Sequence, residues 1–213
     1  MLVWDVPTRL FHWATVTLVV AAYMTWKLNW MDWHARAGYL LLTAVLFRIL
    51  WGLFGSQTAR FSDFLVSSRA AALHLAQALR REPDRQAGHN PAGGWMVVVL
   101  LLLLLGETLT GVYVANDVAN EGTLTEMTPA FVANAITSLH GILWDALVMA
   151  VALHLLAIIV YMAVKGQQLL IPMLTGYKTL PTAVPRPRIA GTARALILLG
   201  CSVAAVAVVA HVL

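Results

Sequence analysis

Five stretches in which apolar residues crowd out polar ones frame this chain. They run from Leu10 to about Trp30, Ala35 to Phe54, Trp95 to Val114, about Val132 to Val164, and Arg194 to Leu213. Each reaches the roughly 20 residues that a helix needs to cross ~30 Å of hydrocarbon. The fourth exceeds a single crossing, so it must tilt or extend past the bilayer. Between the second and third runs, RAAALHLAQALRR (Arg69 to Arg81) can gather its alanines and leucines on one helical face, with arginines at both ends. It predicts a helix lying along the membrane surface, with His74 solvated. GHNPAGG (Gly88 to Gly94) follows as a compact turn into the third run. LPTAVPRPR (Leu180 to Arg188) is a proline-rich linker that sets the fifth run apart. The fold expected is an all-α integral membrane protein. A four-helix transmembrane bundle fills residues 1–178, a linker residues 179–193, and a fifth transmembrane helix residues 194–213.

Composition strengthens this reading. The 213 residues are 60% hydrophobic and 11% charged, against roughly 45–50% and about 25% in soluble domains. Too few charges remain to wet a globule of this size, which argues against a soluble enzyme, a disordered chain or a nucleic-acid-binding domain. The net charge of +4 does not point to nucleic acid, because the basic residues sit in short clusters between apolar runs. Such clusters orient membrane proteins. Eleven of the 14 fall on the side of the N-terminus and the loops after runs two and four, whereas Lys27 and Arg36 alone fall opposite. The N-terminus is thus expected on the cytoplasmic side and the C-terminus on the outer side. The first run is expected to stay in the mature protein, because Asp5 and Pro7 precede it and Arg9 is its only leading base.

The histidines carry the candidate chemistry. His140 and His154 lie 14 residues apart on the fourth run. At 100° per residue they face the same way, about 21 Å apart along the axis. His34 begins the second run at its outer end, and His12 begins the first at its cytoplasmic end. Depth pairs His34 with His140 near the outer face and His12 with His154 nearer the cytoplasm. Two imidazoles from facing helices are what a haem iron needs, and bundle cores are where such sites are built. With both axial positions filled by protein, the chemistry is electron transfer rather than bond-making at iron. No Cys-x-x-Cys-His occurs and Cys201 is the single cysteine, so two noncovalent b-type haems are expected. Arg48 lies 14 residues after His34 and shares its face; a buried arginine needs an anion, and haem propionates supply two. Arg36 is placed to serve the outer haem likewise, and Arg9 the inner. Gly38 and Gly141 could let haem approach the backbone, and helix packing explains them equally well. Glu107 and Asp145 could carry protons or simply hydrogen-bond a neighbouring helix.

A family resemblance rests on VWDVPTRLFHW (Val3 to Trp13), HARAGYLLLTAVLFRILWGLFGSQTARF (His34 to Phe61), GHNPAGGWM (Gly88 to Met96) and IPMLTGYK (Ile171 to Lys178). Together these segments resemble the bacterial cytochrome b561 and nickel–iron hydrogenase b-type cytochrome family. The resemblance implies a four-helix diheme cytochrome whose axial ligands fall on His12, His34, His140 and His154. It also implies quinone near the inner haem, beside the turn before the third run. Asn90 is then the leading quinone contact, with Gly93 and Trp95 beside it. A plain helix-start turn explains Asn90 equally well.

The function expected is electron transfer across the membrane between an outer-face redox protein and the quinone pool. Without the ligands and intramembrane acids, the outer loops hold Lys27 and Arg36 against Asp32, Asp117, Glu121 and Glu126, or about −2. That balance favours a cationic partner such as a periplasmic c-type cytochrome; a hydrogenase-like subunit is the other candidate. Two alternatives stand beside it: a superoxide oxidase passing electrons to quinone, and a haem-free transporter or assembly protein.

Overall fold

The computed structural model describes residues 1–77, 86–114 and 129–212, with side chains as far as Ala210. Its long elements are all helical: α1 (Val6–Lys27), α2 (Met31–Phe54), α5 (Pro91–Gly111), α6 (Ala130–Ala163) and α8 (Thr192–Val212). Three short helices lie between them: α3 (Phe61–Phe64), α4 (Ser68–Ala76) and α7 (Leu170–Thr175). Among the described residues, α2, α5, α6 and residues 192–210 of α8 are long and apolar enough to cross a membrane. The chain is therefore a multi-pass membrane protein. At 22 residues α1 has the length as well, but its Thr, Trp and Tyr residues dilute its hydropathy.

Helix ends differ from the sequence expectation for local chemical reasons. The first helix starts at Val6 because Asp5 caps it, its Oδ1 accepting from the backbone N–H of Thr8 at 2.7 Å. The third long helix starts at Pro91 rather than Trp95. Asn90 Oδ1 accepts from Gly93 N at 2.7 Å, and proline is suited to the first helical position. The surface helix begins at Ser68, capped by Ser67; its expected continuation over residues 78–81 lies outside the described residues. His74 is half-buried, not solvated, with its ring centroid 6.1 Å from that of Tyr161.

The chain forms two compact units, each assembled from parts of several helices. The first comprises Met1–Leu10, Arg48–Val99 and Ala150–Leu196. Its centre is Trp51, fully buried, whose indole N–H is shared between Asp5 Oδ2 (3.1 Å) and Thr8 Oγ1 (3.2 Å). The N-terminal residues are pinned by backbone: Val3 N and Trp4 N both donate to Gly176 O. Gly176 has φ +88°, and a Cβ there would lie 2.8 Å from Trp4 O, so only glycine closes α7 against this segment. The proline-rich linker is not a free tether. Gln57 N donates to Arg188 O, Arg188 N to Gln57 Oε1, and Ala190 N to the buried Ser56 Oγ. Arg194 adds a bond to Phe54 O at 3.0 Å. Polar side chains after α2 thus hold the lead-in to α8.

The second unit comprises Phe11–Phe47, Leu100–Met149 and Ile197–Leu213. Here Ala22 of α1 and Ala37 and Leu41 of α2 form a buried cluster with Leu18 and Val19 packed against it. Small side chains let the two helices approach closely.

Candidate functional site

In the second unit, α1, α2, α5 and α6 enclose a cavity of about 750 Å³. His34 and Gly38 of α2, Glu107 and Gly111 of α5, and His140 and Gly141 of α6 all line it. On one side the rings of Tyr23 and Trp144 stack at 5.5 Å between centroids, 9° from parallel. The structure thus brings together the two histidines paired from sequence for the outer site.

Both imidazoles are held by their Nδ1 atoms. His34 Nδ1 lies 2.9 Å from the carbonyl oxygen of Ala22. His140 Nδ1 lies 3.0 Å from the carbonyl oxygen of Glu107 and 3.0 Å from Thr110 Oγ1. A carbonyl only accepts, so in each ring Nδ1 carries the proton. That arrangement directs the lone pair of a neutral ring to Nε2, as a metal-binding histidine requires. The side chain of Glu107 approaches His140 from the other direction, Oε1 being 3.3 Å from Nε2. It is the group that competes for that nitrogen.

The donor set and the cavity fit a b-type haem. The volume lies within the ~300–1,000 Å³ of cofactor pockets. Gly38 and Gly141 face open space: a Cβ added at either meets nothing within 4 Å. Among the described residues no neighbouring helix packs on them, which leaves room in the cavity for a flat group. Gly111 has a different reason, since its Cβ would sit 3.3 Å from His140 Cε1. Arg36 is exposed, its guanidinium 4.8 Å from the Trp33 ring centroid, and is not among the residues lining the cavity.

His12 belongs to the second unit, half-buried and edge-on to Trp13 at 4.9 Å. His154 belongs to the first. Arg48, also in the first unit, is 3% exposed; it donates to Ala59 O at 3.1 Å and lies over the Phe61 ring. The charge of Asp5 also acts on Arg48. Arg9 donates to Leu174 O at 2.6 Å, while its Nε is buried without a hydrogen-bond partner among the described residues. His89 is packed between the rings of Trp4 and Phe64, each 4.7 Å away. Burial, reinforced by the charges of Arg48, His154 and Lys178, drives its pKa down to about 3. It is a neutral packing residue at physiological pH. The oxygen of Asn90 is engaged in capping Gly93, and the indole N–H of Trp95 donates to Val66 O at 3.1 Å.

Thr110 and Gly111 were not singled out from sequence. Both sit on α5, which carries no candidate ligand, and their role depends on contact with α6. The one available signal was GETLTG, Gly106 to Gly111, small and polar residues ending a leucine run.

No curated protein sequence and no solved structure matches the chain significantly. The family model of prokaryotic cytochrome b561 matches residues 3–176, which includes all four candidate ligands. Membership implies b-type haem and transmembrane electron transfer. Paired, carbonyl-anchored histidines around an open cavity agree with that match, and the chain belongs to the prokaryotic cytochrome b561 family.

Proposed function

We propose that this protein is a diheme cytochrome of the bacterial inner membrane, exchanging electrons between a periplasmic redox protein and the quinone pool. The observation that carries the reading is the cavity that His34 and His140 both line, each with Nδ1 on a backbone carbonyl. Bound there, haem supplies one-electron transfer between its ferric and ferrous states. His34 and His140 would hold the outer haem, and His12 and His154 the inner one. The carbonyls of Ala22 and Glu107 fix the ring tautomers in advance, and ligation by His140 would require the Glu107 carboxyl to leave Nε2. Tyr23 and Trp144 cover one side of the outer cavity with their stacked rings. Arg36 would serve the outer propionates, and Arg48 and Arg9 the inner ones; the unpartnered Arg9 Nε is a donor to spare.

For quinone, Asn90, Gly93 and Trp95 remain the proposed contacts. With Asn90 Oδ1 engaged as a helix cap, its amide N–H₂, which also faces the Tyr161 oxygen, is the donor proposed for a quinone oxygen. In the proposed topology α1 joins the four apolar helices as a fifth crossing, with the N-terminus cytoplasmic and the C-terminus periplasmic. The outer partner is a c-type cytochrome or a hydrogenase-like subunit. Of the acidic residues that favour a cationic partner, Asp32 lies in the first turn of α2, and Asp117, Glu121 and Glu126 lie outside the described residues.

Haem content per chain tests the reading. The purified protein should carry two b haems with a low-spin spectrum. His34→Ala and His140→Ala should each lose the same haem, and His154→Ala the other. A colourless protein, or a His140→Ala variant that keeps both haems, would overturn it.

A further inference from the structure

We infer that Thr110, on a helix that contributes no ligand, is a positioning residue that sets the electron-donor strength of His140. The inference rests on His140 being an axial ligand. Thr110 Oγ1 lies 2.7 Å from Gly106 O and 3.0 Å from Glu107 O. Carbonyls accept only, so the hydroxyl proton is committed to the α5 backbone. The oxygen lone pairs are then free, and His140 Nδ1 lies 3.0 Å away. Nδ1 carries a proton, because Glu107 O stands 3.0 Å from it on the same helix. The His140 N–H is therefore shared between two acceptors one turn apart, a carbonyl and a hydroxyl that is itself polarised by its own donation. His34 Nδ1, by contrast, faces the carbonyl oxygen of Ala22, 2.9 Å away.

An imidazole whose N–H is pulled by two acceptors is richer in electrons at Nε2. A richer donor favours the ferric over the ferrous state of the iron it holds. Thr110 thus lowers the potential of the outer haem and leaves that of the inner haem alone. Gly111 completes the socket, since a side chain there would press on His140 Cε1 at 3.3 Å and turn the ring from its acceptors. Valine replaces the hydroxyl of threonine by a methyl of similar shape, so Thr110→Val removes one acceptor and leaves the Glu107 carbonyl.

The experiment is a redox titration of the purified holoprotein, reading both haems, with low-temperature electron paramagnetic resonance of the ferric state. Thr110→Val should keep both haems. It should shift the outer ferric-to-ferrous ratio at fixed ambient potential by up to about tenfold toward ferrous, which for one electron is about 59 mV. The outer low-spin ferric signal should move with it, while the inner potential and signal stay in place. Thr110→Ser, which restores the oxygen, should restore both. An unchanged outer potential in Thr110→Val, or an equal shift in Thr110→Ser, overturns the inference even though His140 is a ligand. If Thr110→Val sheds the outer haem, Thr110→Ser decides: wild-type potential and signal support the role of the oxygen, and a shifted potential refutes it. Failure of the ligand reading itself shows separately, as two haems retained in His140→Ala.

Discussion

Alanine at Gly38 and at Gly141 separates a cavity that holds a flat cofactor from a cavity that merely exists. Both glycines are inside long helices, and both face space in which no protein atom lies within 4 Å of an added Cβ. Judged on protein atoms alone, alanine there meets no obstacle. It should favour the helix by about 0.5–1 kcal/mol, because glycine loses more backbone freedom on folding. A haem packed on the same helix faces changes the sign. Each methyl would then overpack the site, at about 1–3 kcal/mol, or roughly a 5- to 150-fold loss in haem retention. Gly200 on α8 is the control, since its Cβ also meets nothing within 4 Å but it does not line the cavity. The assay is haem per chain by alkaline pyridine spectrum, with transfer of haem to an apoprotein scavenger to rank retention, beside thermal unfolding in detergent. Gly38→Ala and Gly141→Ala should hold the outer haem more weakly while Gly200→Ala matches wild type. If all three retain both haems equally well, the glycine faces do not contact the cofactor, and the fit argued for this cavity fails.

Other outcomes follow from the first unit. Trp51→Phe removes the indole N–H from the Asp5 carboxylate in a fully buried position. A hydrogen bond to a charged group contributes about 1.5–3 kcal/mol, so an unfolding titration should show a loss of about 2 kcal/mol, with the outer haem retained; unchanged stability would contradict the role given to this bond. His89 has a folded pKa of about 3 against ~6.5 in the unfolded chain. Below pH ~6.5 the unfolded state therefore binds a proton that the folded state refuses. Stability is complete above that pH and falls as pH drops toward 3, by up to about 1.4 kcal/mol per unit. His89→Phe should flatten this slope in unfolding measured between pH 4 and 7; an identical slope would show that other groups produce it.

The apolar runs made the long helices legible because length and hydropathy are properties of a segment by itself. Pro91 and Asn90 explain the main boundary error. The search for apolar residues began the third helix at Trp95, while proline geometry and an Asn cap begin it four residues earlier. Proline content reports stiffness and nothing about partners, so the sequence of the linker predicts only a spacer. Its attachment depends on Ser56 and Gln57, more than 130 residues away along the chain. Arg48 shows how far reasoning by need reaches. Its position in an apolar run signals burial, and the structure buries it, but nothing in the sequence signals that the charge of Asp5 also acts on it.

The candidate site divides along the same line. Histidine spacing on one helix is periodic, so His140 and His154 could be assigned to one face before any contact was known. What prepares His140 is a contact across helices, and it uses atoms that leave no trace in residue type: the carbonyl of Glu107, identical for every amino acid, and a threonine whose usual role is to bond its own helix. The carboxyl of Glu107 drew attention as an intramembrane acid, yet its backbone oxygen is the part that orients the ring. Candidate ligands are therefore open to sequence reading, and what orients them is not, because orientation resides in backbone carbonyls and one hydroxyl brought near only by packing.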